Sequence, residues 1–581
     1  MSVRARLERI PLPALGAVGG VLLALGLPPF AFPPLAAAGV LAFVLVLDRA
    51  STTRSGALAG AAFGGAASLV ALHWVPAAAE PWLGLMGGLA AGISTWMLHA
   101  CIAGIVVAAS ARLRETLPLA VRAAAAWGVL EWLPGAIPLI GLPWFGVAAT
   151  LTGWPGLLPV VAVAGSAGVG VLLAAVLGGG VRLRREPRAA VVTGALALVA
   201  GGAAFLLASP VPGGTGPGTV AAPGAIQETG DRVDASGSPA RMVALEWVRP
   251  RGEVADPERL RARVEAMIEV ALPSDEPGAP SRAVLWPEAP LPGVMGEGDP
   301  GSQPGEEDLL TRYLRRVHAS GSPAAGPSDE TPPGMPGSPP GPGTGAAPSD
   351  GHVPRAGALA GIQARVGART YNTLVRTGPG GEAPEGVHRK RHLVPGVERT
   401  VLTSPGLEGR GLAPGAGALP FSWGGAQVGG LICFEILHGP EAARLRRRGA
   451  LLLVQATNDA MLQPGGRLPV VADAARRQHE AMLRLRAAEF RMPAIRAAHG
   501  GRAQASGPDG RSLEPVEVVL LGDGDPLGRW VEFELPAPAA IPPAAWVGPP
   551  MGPLALAVFL LPLVALWRRE QVIGPGLSRP R

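Results

Sequence analysis

Gly429-Gly430-Leu431-Ile432-Cys433-Phe434-Glu435-Ile436-Leu437 is the stretch on which the fold turns. Its apolar first half, read together with Gln427 and Val428, predicts a short strand over 427–433, buried on both faces and ending at a cysteine. Short runs of the same kind occur at Met242–Trp247, Ala283–Trp286, Ala358–Ile362, Thr373–Arg376, Leu451–Ala456, Pro493–Ala498 and Pro515–Leu520. Helical patterns alternate with them. Asp256-Pro257 supplies an N-cap and a first-turn proline for a helix over Glu258–Ala271, and Ala472–Glu489 reads as a second, longer helix. Strands alternating with helices predict an α/β domain. Residues 319–351 are nearly all Gly, Pro, Ser, Ala, Asp and Thr. That stretch cannot bury a core and is expected to be a disordered insertion within the domain.

Upstream the chain changes character. It is 581 residues long, 48% hydrophobic and 16% charged, which points to a portion in membrane. A bilayer crossing takes about 20 apolar residues. Runs of that order lie at about 12–29, 33–48, 56–76, 84–110, 117–133, 157–180, 189–208 and 550–567, so the expectation is a transmembrane bundle of about eight spans. Arg4, Arg6 and Arg9, then Arg49 and Arg54, Arg112 and Arg114, the Arg182–Arg188 joint, and Arg568 and Arg569 fall on one side of it. The opposite joints, 30–32, 77–83 and 134–156, carry no Arg or Lys. The positive-inside rule then puts both termini in the cytoplasm and the α/β domain outside. The expected division is 1–209 for seven spans, 210–548 for the domain, and 549–581 for the last span and tail.

Several classes are excluded. Two cysteines cannot staple a secreted disulfide scaffold. No Cys/His cluster has zinc spacing, so no metal is expected, and no motif asks for a cofactor. The net charge of +6 is modest and its arginines sit between apolar runs, which suits membrane topology and not nucleic-acid binding. Cys101, in mid-span, reads as a buried small hydrophobe, and His73 and His99 as packed or interfacial residues. Glu131 admits two readings: a carboxylate facing the bundle interior, or a residue at the membrane edge, since Pro134-Gly135 end its run.

Among fifty basic residues, Lys390 is the sole lysine; the asparagines are Asn372 and Asn458, and the tyrosines Tyr313 and Tyr371. A GC-rich genome drifts from Lys to Arg, so surviving residues mark places where substitution fails. Four places gather the reactive or rare residues: Glu288, Lys390, Cys433 and Asn458-Asp459. A thiolate attacks acyl carbon well but needs a base to take its proton, and Glu288 could be that base. The tetrahedral intermediate needs donors for its oxyanion. Lys390 could supply one and the backbone N–H of Phe434 another. An arginine's broad fork does not replace a compact ammonium there. Taken singly, each residue has an ordinary reading as core, basic patch, cap or turn. The order Glu, Lys, Cys is what is specific.

That order resembles the Glu-Lys-Cys triad of the nitrilase superfamily. The surrounding spans narrow the resemblance to the bacterial apolipoprotein N-acyltransferases. Leu285-Trp286-Pro287-Glu288, Tyr371-Asn372-Thr373, Lys390-Arg391-His392-Leu393-Val394-Pro395 with Glu398, Ile432-Cys433-Phe434-Glu435 and Thr457-Asn458-Asp459 are similar to that family's motifs. So are Gln478-His479, Arg486 and Glu489, and, in the helical part, Glu131-Trp132-Leu133 and Gly141-Leu142-Pro143-Trp144. The resemblance implies a four-layer αββα domain with Glu288, Lys390 and Cys433 catalytic. Glu398, Glu435, Phe434 and Asn458 would support them. It further implies transfer of an sn-1 acyl chain from a phospholipid donor, through a thioester, to the N-terminal amine of a diacylglyceryl-modified lipoprotein. The enzyme would be a monomer in the bacterial inner membrane with a periplasmic catalytic domain. Departures from the family pattern are Pro134, Gly396-Val397, Phe434, Met461, His499 and Glu246-Trp247. A membrane-tethered amidase and a non-catalytic lipid- or lipoprotein-binding protein are the rival expectations.

Overall fold

A computed structural model describes residues 9–137, 141–144, 146–208, 240–247, 283–288, 294–296, 358–376, 385–399, 411–423, 426–462, 469–521 and 528–573. The helix expected over 258–271, the insertion over 319–351, Tyr313 and the side chain of Met461 lie outside the described residues.

Each apolar run is a helix: α1 Leu12–Gly26, α2 Pro33–Arg49, α3 Thr53–Ala71, α4 Val75–Arg112, α5 Leu119–Ala136, α6 Val161–Val181 and α7 Pro187–Ala208. Among the described residues, three helical segments are long and apolar enough to cross a membrane, Leu83–Arg112, Pro155–Val181 and Met551–Arg569. The joint expected at 77–83 is helical instead. Pro76 opens the first turn and Gly84, at φ +71°, absorbs the kink. Cys101 also departs from expectation: it lies on the exposed face of α4 and not in a core.

The helices pack through small residues. A Cβ on Gly20 of α1 would meet the carbonyl oxygen of Phe63 on α3, and one on Gly60 of α3 would meet that of Ala103 on α4. Backbones this close gain dispersion contact that larger side chains would prevent. Arg122, a charge inside the apolar run of α5, is fully buried. Its guanidinium donates to the carbonyls of Leu47 (3.3 Å), Ser110 (3.3 Å) and Leu117 (3.2 Å). Leu47 and Ser110 stand in the last turns of α2 and α4, where a cation is favoured.

The remaining strands form one sheet. Its main path is β6 (Glu385–Arg389), β5 (Arg369–Arg376), β4 (Ala358–Val366), β2 (Ala283–Glu288), β1 (Ala240–Trp247), β10 (Ala494–His499), β9 (Leu452–Asn458), β8 (Ala426–Ile432) and β7 (Phe421–Trp423). The pairs from β4 through β8 along this path are parallel. Parallel strands bury both faces, which is why these read as continuous apolar runs and not as alternating ones. The sheet curls until Gly361 of β4 meets Ala456 of β9. The carboxyl ends of β2, β8 and β9 therefore open at the same edge, the usual place for a site.

Among the described residues the domain also carries α8 (Gly439–Arg447), α9 (Pro469–Phe490) and a short helix, Ala544–Val547, before α10 (Met551–Ile573). One hydrophobic core joins the two halves: Leu72, Trp74, Trp144 and Leu158 from the helical part pack with Phe434, Ile436, Met482 and Leu483 from the domain. Polar bonds run along the same seam. Gln478 on α9 donates to the carbonyls of Pro28 and Ala71, both at 3.0 Å, and accepts from the Trp74 indole at 3.0 Å. Lower on α9, Glu489 accepts from the backbone N–H of Ser166 at 2.6 Å, just after α6 bends at Gly165. Arg486 ties Glu489 to the carbonyls of Ile436 and Leu437, each at 3.0 Å.

Candidate functional site

Cys433 stands one residue past the end of β8, opening a single 3-10 turn, Cys433–Leu437. Its φ of +47° is unfavourable for any residue with a Cβ. Such a conformation persists only where the surroundings over-determine it, and it recurs at functional sites. The expected strand thus stops one residue early, at Ile432, and the sharp turn lifts the thiol off the sheet edge.

One group of residues faces the thiol with charge. Glu288 ends β2, Asn372 lies on β5, and Lys390 follows β6, its backbone still paired to Asn372 at 2.7 Å. The Lys390 ammonium is fully buried and donates to Glu398 Oε1 at 2.9 Å and Glu288 Oε1 at 3.3 Å. Asn372 Nδ2 bridges the same two carboxylates, at 2.5 Å to Glu288 and 3.0 Å to Glu398. The backbone N–H of Asn458 holds Glu288 Oε2 at 3.1 Å. Burial alone would strip the proton from Lys390, but Glu288 and Glu398 outweigh it and hold the ammonium well above its usual range. Burial and then Glu288 push the Cys433 thiol up to about 12, against the pull of Lys390 and the Thr457 hydroxyl. A thiol shifted this way favours its protonated form, and to act as a nucleophile it would need a base.

The altered loop Pro395-Gly396-Val397-Glu398 still delivers its carboxylate. Gly396 takes φ +75°, and Glu398 Oε2 accepts from Val394 N at 2.8 Å. Glu435 points the other way. It accepts from His388 Nε2 at 2.7 Å, Ile432 N at 2.9 Å and Arg391 N at 2.7 Å, so it splints the cysteine turn to the lysine loop. Burial opposes its charge, yet His388 and the backbone donors hold it down to about 2. Phe434 is buried, its ring 6.3 Å from Trp144 and 5.2 Å from His438.

A second group lies behind Cys433. Gln455, Thr457 and Asp459 come from β9 and its end, Arg496 from β10 and His479 from α9; each is essentially buried. Gln455 Nε2 donates to the Cys433 carbonyl at 3.1 Å. His479 Nδ1 meets Asp459 Oδ1 at 3.0 Å, and the other Asp459 oxygen pairs with Arg496. Of these, Thr457, Asp459 and His479 lie in stretches that carry a sequence signal, which named no role for them. Asn372 had a signal in its rarity but was not singled out as a site residue.

Glu131 lies apart. Its Oε1 accepts from Trp127 Nε1 and Val147 N, both at 2.8 Å, and so fastens α5 to the segment that follows Trp144. Among the described residues no group of three or more His, Cys, Asp or Glu side chains is arranged to hold a metal ion.

Comparisons with known proteins agree with these two halves. The family model described as apolipoprotein N-acyltransferase N-terminal domain matches residues 19–179, and the carbon-nitrogen hydrolase model matches residues 355–520. Among curated proteins none matches the chain. Similar solved structures include an amidase variant from Nesterenkonia sp. with an acetamide moiety added to its active-site cysteine. It is 16% identical, covering 54% of this chain and 94% of that one, with a TM-score of 0.29. A carbon-nitrogen hydrolase from Helicobacter pylori is 13% identical, covering 59% and 99%, with a TM-score of 0.32. With the two family models matched in tandem, one on the helical region and one on the α/β domain, the chain belongs to the apolipoprotein N-acyltransferase family of the nitrilase superfamily.

Proposed function

We propose that the protein moves an acyl chain from a membrane phospholipid to the N-terminal amine of a diacylglyceryl-modified lipoprotein, through a thioester on Cys433. The observation that carries this reading is a buried thiol, opening a sharp turn at the end of β8, beside one buried ammonium shared by two carboxylates. Glu288 takes the thiol proton as Sγ attacks the sn-1 ester carbonyl. Lys390 and the Phe434 N–H receive the oxyanion. The intermediate collapses, the ester C–O bond breaks, and the proton on Glu288 passes to the lysophospholipid alcohol. In the second half the acceptor amine attacks the thioester carbonyl. Its proton goes to Glu288 and from there to the departing thiolate, which restores the starting state. Glu398 holds Lys390, Glu435 holds the two loops together, Phe434 lends its backbone N–H, and the Asn458 N–H aims Glu288.

The membrane setting follows the same reading. Residues 1–209 make seven spans, 210–548 the catalytic domain and 549–581 the last span and tail. Both termini lie in the cytoplasm and Cys433 stands on the periplasmic side of the inner membrane. Both substrates are lipid-anchored, so a thiol held at the membrane surface meets them without drawing them into water.

The test uses purified full-length protein in phospholipid micelles with a synthetic diacylglyceryl-cysteine peptide. The expected product is the N-acylated peptide, formed with one equivalent of lysophospholipid and absent for Cys433→Ala. Free fatty acid with the peptide amine unmodified would instead mark a membrane-tethered amidase. Full peptide acylation by Cys433→Ala would end the catalytic reading.

A further inference from the structure

The Cys433–Phe434 peptide is gripped from one side. Gln455 Nε2 donates to the Cys433 carbonyl oxygen at 3.1 Å, and His479 Nε2 lies at the same distance from that oxygen. That peptide is trans, since Pro28-Pro29 holds the one cis bond among the described residues. In a planar trans peptide the carbonyl oxygen and the following N–H point in opposite directions. Whatever holds the Cys433 oxygen against β9 therefore turns the Phe434 N–H away from β9. Phe434 stands in the first turn of its 3-10 helix, where N–H groups find no partner within the turn.

The orientation of Gln455 is itself fixed. Its carboxamide has two N–H donors, and Nε2 lies 3.1 Å from the Cys433 oxygen and 3.2 Å from His479 Nε2. His479 Nε2 also lies 3.1 Å from the Cys433 oxygen. With the proton on Nε2 the imidazole donates to that oxygen itself; with the proton on Nδ1 it accepts from Gln455. The Nδ1 position faces Asp459 Oδ1 at 3.0 Å. Burial supports the neutral form, holding His479 down to about 4. Asp459 is fixed in turn by the buried Arg496. The reverse orientation of the amide would set its oxygen against the Cys433 oxygen. The chosen one leaves Gln455 Oε1 without a partner.

We infer that Gln455, with His479 beside it at the same carbonyl, is the positioning residue that aims the Phe434 N–H at the oxyanion. The inference rests on the acyl-transfer reading above and deepens it. It assigns Gln455 no contact with substrate and no proton. Its effect is confined to steps in which a carbonyl oxygen gains charge.

That limit supplies the test. Alkylation of Cys433 by iodoacetamide needs the same thiol and the same base, but it displaces iodide at saturated carbon and builds no oxyanion. Full-length wild type and Gln455→Met, which is similar in size and lacks the donors, are compared for two rates. One is thioester formation from phospholipid, and the other is alkylation. The expected result is thioester formation slowed about 10²-fold, the order found for losing one oxyanion donor, with KM little changed and alkylation within about threefold of wild type. If Gln455→Met does not fold, His479→Phe, which removes the second group at the Cys433 oxygen and a neighbour of the Gln455 amide, reads the same ratio in the same direction. Equal loss in both rates would assign Gln455 a general structural role and overturn the inference. An undiminished thioester rate overturns it alone. A wild type that forms no thioester overturns the acyl-transfer reading and this inference together.

Discussion

The two sides of Cys433 are built from different materials. In front stand Glu288, Lys390 and Glu398, one ammonium between two carboxylates, bridged by Asn372. Behind stand Gln455 and His479, backed by the Asp459–Arg496 pair. The front carries an excess of negative charge, so it can take a proton and still hold the ammonium. The back closes its charges on each other and sets the Gln455 amide and the His479 ring against the Cys433 carbonyl. On the proposed mechanism, charge placed where the proton moves does chemistry, and charge placed one residue away, and balanced, sets geometry.

The comparison breaks if the front tolerates a change of shape at constant charge. Lys390→Arg keeps the cation but replaces a point charge by a planar fork. Acyl transfer is expected to fall by about 10³-fold or more, with Glu288→Gln falling by about 10²–10⁴-fold. Steady-state rates on the phospholipid and peptide pair measure both. Lys390→Arg at more than about a tenth of wild-type activity would remove the geometric argument.

The back predicts a stability effect next in size. Asp459→Ala strands the buried Arg496, and breaking a buried ion pair from one end costs about 3–5 kcal/mol. Replacing both partners with apolar residues is expected to recover most of that loss, while acylation stays slow. Thermal melting in detergent reads the first effect and thioester formation the second. A double replacement with wild-type acylation would mean that the back contributes packing alone.

Glu435 gives a pH test of the splint between the cysteine turn and the lysine loop. Its carboxyl is held near 2 in the fold against an ordinary 4.5. The stability it contributes is whole above pH 4.5 and is lost as pH falls toward 2, about 3 kcal/mol in all by linkage. Melting temperature as a function of pH is expected to drop over that window in wild type. Glu435→Gln should be less stable at neutral pH and flatter in acid. A drop of equal size in the variant would place the acid-sensitive group elsewhere.

The smallest effect belongs to the seam. Gln478→Leu leaves the carbonyls of Pro28 and Ala71 and the Trp74 indole without this partner, at about 1–3 kcal/mol if they stay buried. Because His479 is the next residue on α9, thioester formation should slow as well, by less than in Gln455→Met. Proteolysis between the helical region and the domain would be enhanced if the seam opens. Unchanged melting and unchanged rate would show that apolar packing alone holds it.

What the sequence disclosed follows the same division. The front was legible because this chain's composition is depleted in Lys, Asn and Cys, so Lys390, Asn372 and Cys433 stood out against their background. The helices were legible because a long apolar run has few alternatives to helix. The back was not. Gln455 lies inside an apolar strand like any polar interruption, and Arg496 is one arginine among many; only the register that sets it beside Gln455 brings them together. The helix over 75–83 was missed because Gly84 reads as a breaker until its kink is seen. Cys101 was misplaced because an apolar run says nothing of which helix face looks outward.

The central claim is that Cys433 carries the acyl chain. Its most direct test is the intact mass of the purified protein after incubation with a phospholipid of defined chain, without acceptor. The account predicts a single added acyl mass on Cys433, released by hydroxylamine, discharged by the diacylglyceryl-cysteine peptide and absent from Cys433→Ala. Acylated peptide produced with no such adduct on the wild type, or the same adduct on Cys433→Ala, would contradict it.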